Sequence, residues 1–206
     1  MLSYNFEVNN DRYFNISEKM REALLKSPDR KIAIDFLKKR KINKNSVDKF
    51  SIGWCPSNAK FSKQYKEIEV YKGRVVFPIK NEYGDIITFS GRLPYKDEMS
   101  LPYIHGEFPK SFYLYGLYES LKYIIEKNYV VIVEGQIDVI RCHQIGLKNT
   151  IGTMGTALTE EHLAKLNRFT DRIIFMFDGD DAGRNSTEKN KIFLNKYKEA
   201  GYTVFS

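Results

Sequence analysis

The sequence predicts an α/β protein in two parts: a mixed α+β, basic amino-terminal subdomain over 1–128, then a parallel β-sheet covered by helices over 129–206. Three observations carry this. From Tyr129 onward, short apolar runs alternate with helical patterns, the mark of strand–helix–strand units. Two of the runs, Val130-Val131-Ile132-Val133 and Ile173-Ile174-Phe175-Met176-Phe177, end in carboxylates set around a glycine, Glu134-Gly135-Gln136-Ile137-Asp138 and Asp178-Gly179-Asp180. The net charge of +7 is also unevenly placed, with 23 Lys and Arg against 16 Asp and Glu in 1–128 but ten of each in 129–206.

The elements follow in order. The first fifteen or so residues show no clear periodicity and read as an arm or linker. Ser17 is placed to cap a helix through about Lys26, and Ser27-Pro28 opens a second in which Ile32, Ile34, Phe36 and Leu37 are apolar before Lys38-Lys39-Arg40-Lys41. A third, short helix runs from Lys44 to Phe50. Residues 74–79 and 86–92 flank the polar, glycine-bearing stretch Asn81-Glu82-Tyr83-Gly84-Asp85 and predict a hairpin, with Pro78 at an edge or a bulge. Pro102 to Pro109 reads as loop and Leu117 to Glu126 as helix. Beyond them the pattern gives strands at 129–133, 149–152, 172–177 and 202–205, and helices at about 136–145, 159–168 and 181–199.

Adjacent strands of a parallel sheet end at one edge, which would gather Glu134, Asp138, Asp178 and Asp180. Carboxylates that close raise one another's pKa unless a cation is shared among them. A hard divalent ion resolves the conflict, and Mg²⁺, which keeps several waters and binds through one or two carboxylates plus substrate phosphates, points to phosphate chemistry. The plainer alternative is that the acids only cap strands and begin helices. A basic body beside them suits a polyanion lying across one part while metal-assisted chemistry occurs at the other. Cys55 and Cys142 lie far apart, so neither a disulfide framework nor a zinc site is indicated, and Cys142-His143 reads as a helix-packed thiol beside a surface imidazole. With no apolar run of membrane-spanning length and no signal-peptide order at the start, the expected location is cytoplasmic, with no membrane partner.

Glu134-Gly135-Gln136-Ile137-Asp138 and Asp178-Gly179-Asp180-Asp181-Ala182-Gly183-Arg184 resemble the two signature motifs of the TOPRIM domain of bacterial primases, topoisomerases and some nucleases. Met154-Gly155-Thr156 with Leu158-Thr159 resembles the connecting motif of DnaG-type primases. Three upstream segments, 33–40, Phe50-Ser51-Ile52-Gly53-Trp54-Cys55-Pro56, and 74–79 continuing to 89–92, are similar to the amino-terminal half of that primase's RNA polymerase domain. The resemblance runs in order from about Met20 to Ser206. It implies a TOPRIM-like sheet and a DNA-dependent synthesis of RNA primers in replication. Glu134, Asp178 and Asp180 would be catalytic; with Asp138 they would hold Mg²⁺ or Mn²⁺, and Glu134 would also assist deprotonation of the attacking hydroxyl. Arg74, Arg92 and Lys110 would flank a groove for single-stranded DNA template and nucleoside triphosphates, and His105 stands where the family has an asparagine.

The sequence departs from the family's pattern in four ways. Pro102-Tyr103-Ile104-His105-Gly106 replaces a Lys-Tyr-x-Asn-Ser stretch, Gln136-Ile137 replaces Tyr-Met, and the chain stops before a further Asp-x-Asp pair. Neither an amino-terminal zinc-binding domain nor a carboxy-terminal helicase-binding domain is present in it. The expected partners therefore include a replicative helicase or a separate chain completing the site. The competing function class is a non-catalytic TOPRIM protein that binds nucleic acid or nucleotides and regulates replication, with a TOPRIM nuclease third.

Overall fold

In the computed structural model the described residues are 10–60, 63–176 and 203–205. The chain divides into two units, Met1–Phe108 and Pro109–Ser206.

In the first unit, helix α1 spans Asn10–Lys26. It begins well ahead of Ser17 because Tyr13, Ile16, Met20 and Leu24 recur at three- and four-residue spacing, and the last three are buried. Ser17 is therefore buried in mid-helix rather than capping it. Helix α2, Arg30–Lys39, buries Ala33, Phe36 and Leu37 on one face, which leaves Ile32 exposed. Helix α3, Lys44–Lys49, is capped by Asn43, whose side chain accepts the Ser46 N–H at 2.9 Å.

Strands β1 (Gly53–Cys55), β2 (Arg74–Lys80), β3 (Ile86–Arg92) and β4 (Tyr103–His105) form an antiparallel sheet in the order β1-β2-β3-β4. The expected hairpin is β2–β3. Its turn is held by the Asn81 side chain, which accepts the N–H groups of Tyr83 and Asp85, each at 2.9 Å. Pro78 falls past the point where β1 stops pairing with β2, at Val76, so its missing N–H leaves no gap in that ladder; the register then shifts at Ile79/Lys80. The segment read as loop from Pro102 to Pro109 contains β4, a strand too short to show a period in sequence. Ile16, Met20, Cys55, Ile68, Tyr71, Val76, Ile86 and Phe89 make the core, and burial pushes the Cys55 thiol up to about 12.

The second unit holds a 3-10 turn (Lys110–Phe112), α4 (Leu117–Lys127), β5 (Val130–Val133), α5 (Gln136–Gln144), β6 (Thr150–Gly152), α6 (Glu160–Leu166), β7 (Arg172–Phe175) and β8 (Thr203–Phe205). The four strands are parallel, in the order β6-β5-β7-β8. Helix α4, which the sequence assigns to the amino-terminal subdomain, packs Leu117 and Ile124 into the same core as Ile132, Ile151, Leu163 and Ile173. The helix expected at 181–199 lies outside the described residues. His143 is buried and not at the surface, because α5 lays this face on β6; its ring bonds Ser120 Oγ at 3.0 Å and Thr150 O at 3.1 Å. Among the described residues no helix is long and apolar enough to cross a membrane.

Candidate functional site

The sheet places the first acidic motif. β5 and β7 are parallel neighbours, with Val130 opposite Ile173 and Ile132 opposite Phe175, so both chains leave the sheet at one edge. Glu134 follows β5 directly. Its backbone is fixed from the loop after β6, where Thr153 N–H donates to Val133 O at 3.2 Å and Gly155 N–H donates to Glu134 O at 3.3 Å. That loop turns back through Met154 (φ 58°) and Gly155 (φ 77°), both left-handed, and a non-glycine residue held so is stored strain of the kind found beside functional sites. Asp138 stands on the first turn of α5 and its Oδ2 accepts the Gly135 N–H at 3.2 Å. One part of the plainer reading is therefore realised, since this carboxylate helps to begin a helix. A Cβ at Gly135 would lie 2.8 Å from that oxygen, so a side chain there would displace the carboxylate.

Glu134 and Asp138 line one cavity of about 330 Å³, together with Arg141, Cys142, Ile145 and Met176. One carboxylate oxygen of Glu134 is shut off from solvent. Burial raises the Cys142 pKa, and the two carboxylates offer oxygen donors of the kind a hard divalent ion takes. Among the described residues no three potential ligands cluster, and Asp178 and Asp180 lie outside them. Two carboxylates are enough for an ion that keeps much of its water.

The basic residues divide between the units. Arg92, at the end of β3, shares a cavity of about 630 Å³ with Lys39, the last residue of α2, with its C-cap Arg40 and with Lys96. Its guanidinium lies over the Tyr103 ring, 4.8 Å from the centroid. Tyr103 and His105 lie on one face of β4, their rings nearly parallel with centroids 6.3 Å apart, and Phe108 continues the row. Arg74 is drawn inward: its Nη1 donates to Leu101 O at 2.9 Å and Pro102 O at 3.4 Å, pinning the loop that walls the cavity. The sequence reading passed over Lys39 and Arg40 as part of a basic run. The signal that could have found them is the buried face Ala33-Phe36-Leu37, which brings the end of α2 onto the fold beside Phe36.

Lys110 belongs to the second unit, where its carbonyl accepts from His162 Nε2 at 2.8 Å. His162 also accepts the Thr159 N–H at Nδ1, 3.3 Å, and Tyr113 O lies 3.2 Å from Nε2, so the partners select the neutral Nε2–H tautomer. Burial depresses this imidazole's pKa below its ordinary 6.5. As pH falls below about 6.5 the unfolded chain takes up a proton that the folded one refuses, so stability is complete above that value and declines below it by up to about 1.4 kcal/mol per pH unit. Denaturant unfolding of the wild type from pH 7.5 to 5 is expected to show this slope and His162→Gln to flatten it; parallel slopes would exclude His162 as the source.

Comparison with known proteins gives two family matches. Residues 128–204 match the family described as "Toprim domain", and residues 58–121 match "DNA primase catalytic core, N-terminal domain". The DNA primase of Pseudomonas putida is 34% identical over 203 residues, covering 82% of this chain but 30% of the relative. The crystal structure of the zinc-binding and RNA polymerase domains of Aquifex aeolicus primase superposes with a TM-score of 0.76 at 31% identity, over 85% of this chain and 49% of that one. A structure of the DnaG primase catalytic domain bound to single-stranded DNA matches with a TM-score of 0.74 at 27% identity, over 86% of this chain and 63% of the other. The chain thus spans about a third of the length of the curated relative.

Proposed function

The chain belongs to the bacterial DnaG-type DNA primase family through its RNA polymerase core, and on that premise we propose that it joins ribonucleotides on single-stranded DNA, making RNA primers for DNA replication. The observation that carries the reading is the shared edge of β5 and β7, where Glu134 stands in a cavity with Asp138 and one of its oxygens is hidden from water.

On this reading 129–206 is the Toprim domain of the core and 1–128 the basic subdomain, except that 109–128, with α4, packs with the Toprim side. Glu134 and Asp138, with Asp178 and Asp180, would hold Mg²⁺ or Mn²⁺, which when bound neutralises charge on the triphosphate and lowers the pKa of the 3′ hydroxyl. The 3′ oxygen gives up its proton, with Glu134 as the acceptor, and bonds to the α-phosphorus of the incoming nucleotide. The bond to the bridging oxygen breaks and pyrophosphate leaves with the electron pair. Arg92, Lys39 and Arg40 supply fixed positive charge for template or triphosphate, the planar fork of arginine suiting paired phosphate oxygens. Lys110 and His105 are assigned to the same duty, whereas Arg74 serves it by holding the loop at Leu101 and Pro102. The setting proposed is cytoplasmic, with a replicative helicase or a completing chain as further partners.

A second reading, nucleic-acid or nucleotide binding without catalysis, is favoured by one feature, the engagement of Asp138 Oδ2 by the Gly135 N–H. The two separate experimentally. Full-length chain given single-stranded DNA, ribonucleoside triphosphates and Mg²⁺ or Mn²⁺ is expected to make template-directed oligoribonucleotides. Template binding with no product under either ion would establish the non-catalytic reading instead.

A further inference from the structure

The cavity beneath Glu134 has a cationic wall that the proposed chemistry does not yet use. Helix α5 carries Asp138 and Arg141, three residues apart and hence on one face, and its C-cap is Ile145; all three line that cavity. Arg141 is exposed, and its guanidinium has no ion pair or hydrogen bond among the described residues. Its position offers two plainer uses: an ion pair with Asp138, three residues before it, or favourable charge at the end of a helix. The first is not formed, since Asp138 is engaged by the Gly135 N–H and no Arg141–Asp138 ion pair is present. The second requires only charge, not a place in the cavity.

The geometry points to Arg141 as a phosphate-holding residue of this cavity, gripping the terminal phosphates of the metal-bound triphosphate and then the departing pyrophosphate. This rests on the polymerase reading of Glu134. Two carboxylates and one guanidinium leave the described cavity with one negative charge, which a divalent ion would turn positive; the loaded site then attracts a polyphosphate anion, and without the guanidinium it would be neutral. Arginine adds what a point charge lacks, a planar fork matching two phosphate oxygens. The residue is also well placed to move: an exposed side chain with no hydrogen bond or ion pair among the described residues loses little by turning toward a ligand.

Calorimetric titration of full-length chain with inorganic pyrophosphate in Mn²⁺ tests this without any turnover. Arg141→Ala is expected to weaken pyrophosphate binding about tenfold, the scale of one charge-assisted hydrogen bond lost, and Arg141→Lys to fall between Ala and wild type. Binding of Mn²⁺ alone should be unchanged or tighter in Arg141→Ala, because removing a cation cannot repel the ion. Pyrophosphate affinity that is equal in wild type and Arg141→Ala, or equal in the Lys and wild-type forms, overturns the proposal. A chain that binds pyrophosphate through Arg141 but makes no oligonucleotide would overturn the polymerase reading alone; one that polymerises with Arg141→Ala titrating as wild type would overturn only the role of Arg141.

Discussion

Glu134→Gln is expected to abolish primer synthesis while leaving the protein folded. Glutamine keeps the shape and one carbonyl oxygen but removes the charge that would hold the ion and accept the proton. Losing both should lower the rate by on the order of 10³-fold, the several kcal/mol a metal contributes to transition-state charge stabilisation. The fold should tolerate it, because Gly155 N–H holds the Glu134 backbone whatever the side chain. The near-isosteric amide keeps the side chain's volume and the backbone bond, so the melting temperature without metal should stay close to that of wild type. The measurement pairs a template-directed assay at saturating Mg²⁺ or Mn²⁺ with thermal melting. Activity within a few-fold of wild type would remove Glu134 from the chemistry; lost activity with a lowered melting point would make its role structural.

What was legible in the sequence tracks the strength of the local signal. The parallel sheet could be read because Val130–Val133 and Arg172–Phe175 are short apolar runs between helices, and a buried parallel strand has no other way to look. The place of Glu134 followed, since a residue just past such a strand must stand at the sheet edge. The start of α1 was missed because Tyr13 and Phe14 amid polar residues hide a period that only burial against Phe89 makes evident; Tyr13 meets that ring edge-on at 5.7 Å. Strand β4 was missed because three residues show no alternation, and its existence is decided by pairing with Ser90, Gly91 and Arg92. Arg74 shows the limit of reading charge: in sequence it is one basic letter among many, while in the fold its Nη1 donates to two loop carbonyls. No pattern in one dimension distinguishes those uses.

Gly53→Ala should be among the most destabilising single-methyl changes in the first unit. A Cβ at Gly53 would lie 2.6 Å from Met20 Cβ and 2.9 Å from the Met20 carbonyl carbon. The second is backbone, so no rotamer change relieves it and α1 must lift from β1. Lifting α1 withdraws Ile16 and Met20 from the core they share with Cys55, Val76 and Phe89. Overpacking that moves a helix is expected to cost about 3 kcal/mol, at the upper end for an added methylene. Gly146→Ala supplies the contrast. Gly146 has φ 93° and nothing within 4 Å of its would-be Cβ, so it isolates the conformational cost of alanine in left-handed backbone, about 1 kcal/mol. Gly53 does not have a left-handed φ, and its excess cost is therefore steric. Hydrogen exchange locates the effect: amide protection should fall in β1, β2 and β3 and persist in β5 and β7, which belong to the other unit. Because β3 carries Arg92, binding of single-stranded DNA should weaken with that protection, while Mn²⁺ binding at Glu134 should not. Melting of Gly53→Ala alongside Gly146→Ala would mean that α1 does not press on β1 at Met20.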